Sequence, residues 1–175
     1  MGKPTRLSIA SILCTVSALL VLGTLRPRAA EAASNPLQSL SCRRIPGTYL
    51  VSRDPTSGPS RVLTIFQDGN LSSIQSIQQV QVGVDNGFSD QQGAWECTGH
   101  GKIHATVLDF SFDPSGNFRG TSVAHYELQF APTAHTLTGR VEGKIFSPGV
   151  DPLHPGSAPP IDEFTDTFEA QRVSP

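Results

Sequence analysis

The chain has little of what most functional classes require. Its 175 residues include three Cys, one Met, one Trp and two Tyr, and the cysteines form no Cys-x-x-Cys pair of the kind that tunes a reactive dithiol. Neither a Gly-x-Ser-x-Gly elbow nor a glycine-rich phosphate loop occurs, so serine-hydrolase and nucleotide readings have no anchor. With 13 Lys and Arg against 15 Asp and Glu, the electrostatic footprint of a nucleic-acid binder is missing. No window of a dozen residues beyond residue 32 carries a persuasive helical period, which argues against an α or α/β fold. No catalytic motif, metal motif or cofactor motif is expected.

What is present begins with an address. A basic start (Lys3, Arg6) precedes an apolar, uncharged run over 7–23, and the small-residue site Ala30-Glu31-Ala32 follows. This pattern predicts a secretory signal peptide over 1–32 and places the mature chain outside the cytoplasm, secreted or periplasmic, with no membrane span after processing. The leader takes four basic residues (Lys3, Arg6, Arg26, Arg28) and one acidic (Glu31), leaving nine against fourteen and a net charge of −5. The remaining 143 residues suit one domain with a single core. Cys14 leaves with the leader, and Cys42 and Cys97 are expected to form one structural disulfide in an oxidising compartment.

After an extended arm over 33–46, a single domain is expected over 47–175. Residues 47–53 (GTYLVSR) and 60–67 (SRVLTIFQ) read as strands joined by a Pro- and Gly-rich linker. Asp68-Gly69-Asn70 then supplies a tight hairpin into 71–77. Residues 75–85 are rich in Gln and Val and alternate poorly, so strand and irregular loop both stay open there. Segments 92–98 and 102–112 are the next strands, joined at Gly99-His100-Gly101, with Trp95 and Cys97 on one face. Within 102–112 the apolar set changes parity, from Ile103, Ala105 and Val107 to Leu108, Phe110 and Phe112. A bulge near Val107 and Leu108 would turn both sets inward.

Segments 120–130, 136–146 and about 163–172 complete the count. The middle one has the cleanest period of two, with Leu137, Gly139, Val141, Gly143 and Ile145 on one face. Eight strands, each half apolar and joined mostly by short turns, predict an all-β, up-and-down antiparallel barrel. A two-sheet β-sandwich satisfies the same pattern.

Chemistry-bearing residues are sparse. His100 and His104 are four apart, which converges on a helix but spans about 13 Å along a strand. His104, His125 and Glu127 lie on adjacent strands, in a phase that puts His125 and Glu127 outside. Asp109 interrupts an apolar run, and Asp166 falls in an inward phase between Phe164 and Phe168. A carboxyl inside a barrel needs a partner or takes a raised pKa. The inward set mixes Phe110, Phe112, Tyr126, Phe130 and Phe168 with Ala105, Ala124, Gly139, Gly143 and Ala170. The small residues leave room for an apolar ligand, or the aromatics fill that room.

Gly47-Thr48-Tyr49 at the first strand resembles the Gly-x-Trp opening of lipocalins and other calycins, with Tyr49 in place of Trp. Arg172 is similar in place to the Arg that packs over that aromatic. With Asp68-Gly69 and Gly93-Ala94-Trp95, the pattern also resembles an uncharacterised family of secreted bacterial calycin-like proteins. A second resemblance, at the level of strand count alone, is to allene oxide cyclase and dirigent barrels. The mixed small and aromatic inward set, with the first resemblance, leads to the expectation of a non-enzymatic calycin-like barrel binding a small apolar molecule, with Trp95, Phe110, Tyr126, Phe130, Phe168 and Asp166 as site residues. The second implies an enzyme that shapes a reactive intermediate around Asp166 or Glu127. A structural or interaction module of the cell envelope is a third expectation. Nothing in the sequence sets an oligomeric state.

Overall fold

A computed structural model describes residues 42–54, 58–78 and 87–174. The expected signal peptide and the first part of the arm lie outside the described residues. Alternation becomes strand at each expected segment: β1 (Gly47–Val51), β2 (Arg61–Ile65), β3 (Asn70–Gln75), β4 (Gly87–Phe88), β5 (Gln91–Gly99), β6 (Lys102–Phe112), β7 (Phe118–Phe130), β8 (Thr136–Phe146) and β9 (Asp162–Arg172). Only β4 was unforeseen; two residues are too short to carry a period.

The order around the sheet is β1-β2-β3-β5-β6-β7-β8-β9, every pair antiparallel, and β9 returns to β1 through Tyr49 opposite Arg172 and Leu50 opposite Gln171. That closure makes an eight-stranded up-and-down barrel and sets aside the sandwich. Closing the sheet removes the edges that would otherwise template aggregation. β4 is the extra strand, paired with β6 at Phe112 and Ser111 beyond the end of β5.

The inward face forms one core. Tyr49, Leu63, Ile65, Leu71, Ile103, Val107, Tyr126, Leu128, Val141 and Phe168 are all buried in it. The glycines of β8 do not leave this interior hollow. A Cβ on Gly139 would overlap the Phe168 ring, and one on Gly143 would overlap the Phe164 ring. The ends of two aromatic rings thus pack against the backbone of β8, in the space that side chains would take.

One strand departs from expectation. The β6–β7 ladder runs without interruption past Val107 and Leu108, and the β5–β6 ladder holds its register up to Leu108; the register shifts fall instead between Cys97 and Gly99 and between Ser111 and Phe112. The inward parity set by Ile103, Ala105 and Val107 therefore continues to Asp109 and Ser111, both buried, while Phe110 is 54% exposed. Phe110 and Phe112 pack edge-on to Phe118 on the outside, with centroids 5.9 and 6.4 Å apart. The second apolar set of this strand belongs to that outer cluster and not to the core.

One end of the barrel is closed by residues 42–46. The disulfide Cys42–Cys97 ties them to β5. They form a turn, not an extended arm, because Ile45 N–H donates to Cys42 O (3.1 Å) and buries the Ile45 side chain. Tyr49 donates to Ile45 O (2.6 Å), and Arg172 donates to Pro46 O (2.6 Å) and Arg44 O (2.7 Å) with its guanidinium 5.6 Å from the Tyr49 ring. The hairpins after β2, β5 and β7 lie at this end. The connections after β1, β3, β6 and β8 lie at the other, here called the mouth.

Candidate functional site

The mouth carries polar side chains on inward positions, where a barrel of this size ordinarily carries apolar ones. All lie in the mouth-side part of their strands: Arg61 opens β2, Ser73 and Gln75 are in the last part of β3, Gln91 opens β5, Asp109 and Ser111 are in the last part of β6, Ser122 lies in the first half of β7, and Asp166 in the first half of β9. Because neighbouring strands are antiparallel, starts and ends alternate around one rim. A cavity of about 370 Å³ lies among them, with Arg61, Gln75, Gln91, Asp109, Ser111 and Asp166 on its polar side. Ile77, Phe88, Ile145 and Phe164 supply its apolar wall.

Two hydrogen-bonded groups meet there. In the first, the Asp166 carboxylate accepts from Arg53 Nη1 (3.0 Å) and Arg61 Nη2 (3.2 Å). Arg61 is almost wholly buried, at 3% exposure; its guanidinium carbon is 4.5 Å from the centre of the Phe168 ring and 5.6 Å from that of Tyr126. Its Nε and Nη1 have no hydrogen-bond partner. The two ring faces replace part of the lost solvation, as cation–π contacts do.

The second group is uncharged apart from one carboxyl. Gln91 Oε1 accepts from Tyr126 O–H (2.6 Å) and Gln75 Nε2 (3.4 Å), and Gln91 Nε2 donates to Asp109 Oδ2 (2.9 Å). Burial pushes the Asp109 carboxyl above the ordinary carboxylate range, while the Gln91 amide and the Ser122 hydroxyl beside it pull the other way. Burial likewise raises the Tyr126 phenol, against the pull of the Arg61 charge. The Ser122 and Ser73 hydroxyls are buried without a well-formed partner. Unsatisfied polar groups at such density cost about 1–3 kcal/mol each, and their clustering at one cavity marks a site, not a core.

The expected site residues divide among four places. Asp166 lines the cavity. Tyr126 and Phe168 lie beneath it in the core, reaching it through Gln91 and Arg61. Phe130 is in the core near the closed end, edge-on to Tyr49 at 5.4 Å. Trp95 is also at the closed end, where its Nε1 donates to Phe66 O (2.9 Å) in the β2–β3 hairpin. Phe110 faces outward. No known protein family, curated protein or solved structure matches the chain.

Sequence reasoning missed Arg61, Gln91, Ser111 and Ser122, and left Asp109 without a direction. The available signal was the parity of β6, which leads inward from Val107 to Asp109 and Ser111 once no bulge is inserted. His104 faces Glu127 across β6 and β7, and His125 faces Thr106, all on the outer surface. Among the described residues no three His, Cys, Asp or Glu side chains converge on a metal position. A larger depression of about 890 Å³ lies over the outside of β6 to β9, bordered by Lys102, His104, Glu127 and Arg140. It is an open trough with solvated walls, whereas the mouth cavity enters the barrel.

Proposed function

We propose that this chain is a secreted, calycin-like, non-enzymatic barrel that takes one small molecule into the mouth cavity. The observation carrying this reading is a cavity of about 370 Å³, within the range of small-molecule sites, at the open end of a barrel plugged at the other. The disulfide between Cys42 and Cys97 agrees with an extracellular or periplasmic location. The polar floor narrows the apolar ligand expected from the sequence to an amphipathic one, its polar head toward Gln91 and Asp109 and its apolar body against Phe88, Ile145 and Phe164. Asp166 serves this site by holding Arg61, and Tyr126 by orienting Gln91.

Trp95 does not line the cavity, so titration calorimetry is the suitable measurement. One-to-one binding of amphipathic molecules, weakened at least tenfold by a cavity-filling Ser111→Phe substitution, is the expected result; binding unaffected by that substitution places the ligand elsewhere.

An enzymatic reading is favoured by one observation only. Asp109 is a buried acid on the cavity with its pKa pushed up, which is how a general acid is prepared. In that reading Asp109 takes the role expected of Asp166, which is ion-paired, or of Glu127, which is outside. Turnover of a bound ligand that is lost in Asp109→Asn would establish it.

A further inference from the structure

Arg61 makes its hydrogen bonds through a single nitrogen. Nη2 donates to Asp166 Oδ2 (3.2 Å) and to Gln75 Oε1 (3.3 Å), while Nε and Nη1 donate to nothing among the described residues. A guanidinium has N–H donors on all its nitrogens and no lone pair to offer, so the donors of Nε and Nη1 are left over. The residue is 3% exposed, and a buried donor without an acceptor carries the full penalty of lost solvation. The Phe168 and Tyr126 rings, 4.5 and 5.6 Å from the guanidinium carbon, ease the charge but bring no oxygen to these N–H groups.

The side-chain oxygens nearby are engaged. Asp166 divides its carboxylate between Arg53 and Arg61 Nη2. Gln75 Oε1 faces the same Nη2, and Gln91 Oε1 accepts from Tyr126 and Gln75. Arg61 borders the mouth cavity together with both of its partners, Asp166 and Gln75. Since the Asp166 carboxylate already stands against the Arg61 charge, the leftover N–H groups call for a lone pair and not for a further anion. A ligand that drives solvent from this wall without an oxygen of its own leaves those donors unpaired, and loses affinity for it.

Resting on the mouth cavity as the binding site, we infer that its ligand is an amphipathic molecule headed by an uncharged carbonyl, a ketone or an ester, whose oxygen accepts from the Nε and Nη1 side of Arg61. Arg61 is then the residue that sets specificity, and Asp166 positions it. A carbonyl accepts and does not donate, which is what this side of Arg61 lacks. An alkylammonium has donors only and would bring a like charge to the guanidinium. A carboxylate accepts, but it would set a second negative charge beside Asp166.

The test uses the intact, disulfide-bonded protein with 2-octanone isotopically labelled at its carbonyl, and with octylamine and octanoate, at about pH 8, where both of these are charged. Calorimetry should give one-to-one binding of the ketone, with amine and carboxylate weaker by about tenfold or more. The infrared carbonyl stretch of the bound ketone should fall below its position in alkane, and the Arg61 guanidinium protons should shift downfield in the NMR spectrum. Removing the ion pair as a unit, with Arg61→Met and Asp166→Asn together, should return the stretch toward its alkane position and weaken the ketone by about tenfold or more. The infrared and NMR readings on the unsubstituted protein decide the matter even where that variant fails to fold. Ketone bound with an alkane-like stretch or with the Arg61 protons unmoved, or octylamine or octanoate bound as tightly as the ketone, overturns the carbonyl head and leaves the cavity reading standing. Ketone binding that Ser111→Phe leaves unchanged, or binding of none of the three, overturns both.

Discussion

The ring of Phe168 lies against the backbone of Gly139, in the space that any side chain at that position would take. The Arg61 guanidinium carbon lies over the same ring, 4.5 Å from its centre. A glycine on β8 is thus what allows an arginine to be buried inside the barrel, through the aromatic between them.

Gly139→Ala must push Phe168 off its seat. Overpacking of this kind costs about 1–3 kcal/mol, and here it also disturbs Arg61. Urea denaturation should show a lower midpoint with an unchanged slope. Gly143→Ala displaces Phe164 instead, which borders the cavity, so it should weaken ligand binding as well as stability. A folded Gly143→Ala variant that binds ligand unchanged would contradict the placement of the site.

Asp166 stands between two arginines, one of them 3% exposed. Removing one partner of a buried pair leaves an uncompensated charge and costs about 3–5 kcal/mol. Asp166→Asn is therefore expected to destabilise strongly, and the double substitution Asp166→Asn with Arg61→Met should recover part of the loss. A double variant less stable than Asp166→Asn alone would show that Arg61 supports the mouth by itself.

Asp109 sets a pH dependence of stability whose sign follows from its direction of shift. Burial raises the carboxyl in the folded protein, so between its unfolded and folded pKa values the native state holds more protons than the unfolded chain. The stability this group contributes is present below the unfolded value and lost as pH rises through the folded one. Asp109→Asn should remove that decline: relative to the parent, the variant gains at neutral pH and gains nothing in acid. Melting temperatures from about pH 3 to 8 measure it, and a difference that grows toward acid would reverse the assignment.

The disulfide closes a loop of sequence separation 55, worth up to about 4 kcal/mol through the unfolded chain. Cys42→Ser with Cys97→Ser should lower the melting temperature and speed hydrogen exchange at Ile45, whose side chain plugs the closed end. Binding at the mouth should survive, because no residue of the plug reaches the cavity. Loss of binding in a folded double variant would mean that the two ends are coupled.

The sequence by itself determined the strands and most of their faces. Period-two alternation is cleanest in β8, where a one-residue slip would bury Arg140, Glu142 and Lys144, and a slip in β9 would bury Glu163 and Glu169. The pairing of Cys42 with Cys97 was expected from a leader that would take Cys14 and lead to an oxidising compartment, and the structure forms that disulfide. Asp166 was legible as inward because Phe164 and Phe168 flank it at the same parity. Only the tertiary structure decided the direction of Asp109. β6 offers apolar residues on both parities, and local alternation does not distinguish a set facing the core from one stacking on Phe118 outside. Arg61, Gln75, Gln91, Ser111 and Ser122 look like ordinary polar residues at strand ends, because each becomes a site residue only when closure of the barrel brings five distant strand ends around one space. Their mutual hydrogen bonds, unlike a strand's period, depend on partners up to about a hundred residues away in the chain, as Arg61 and Asp166 are at 105; such separations leave no local pattern to read.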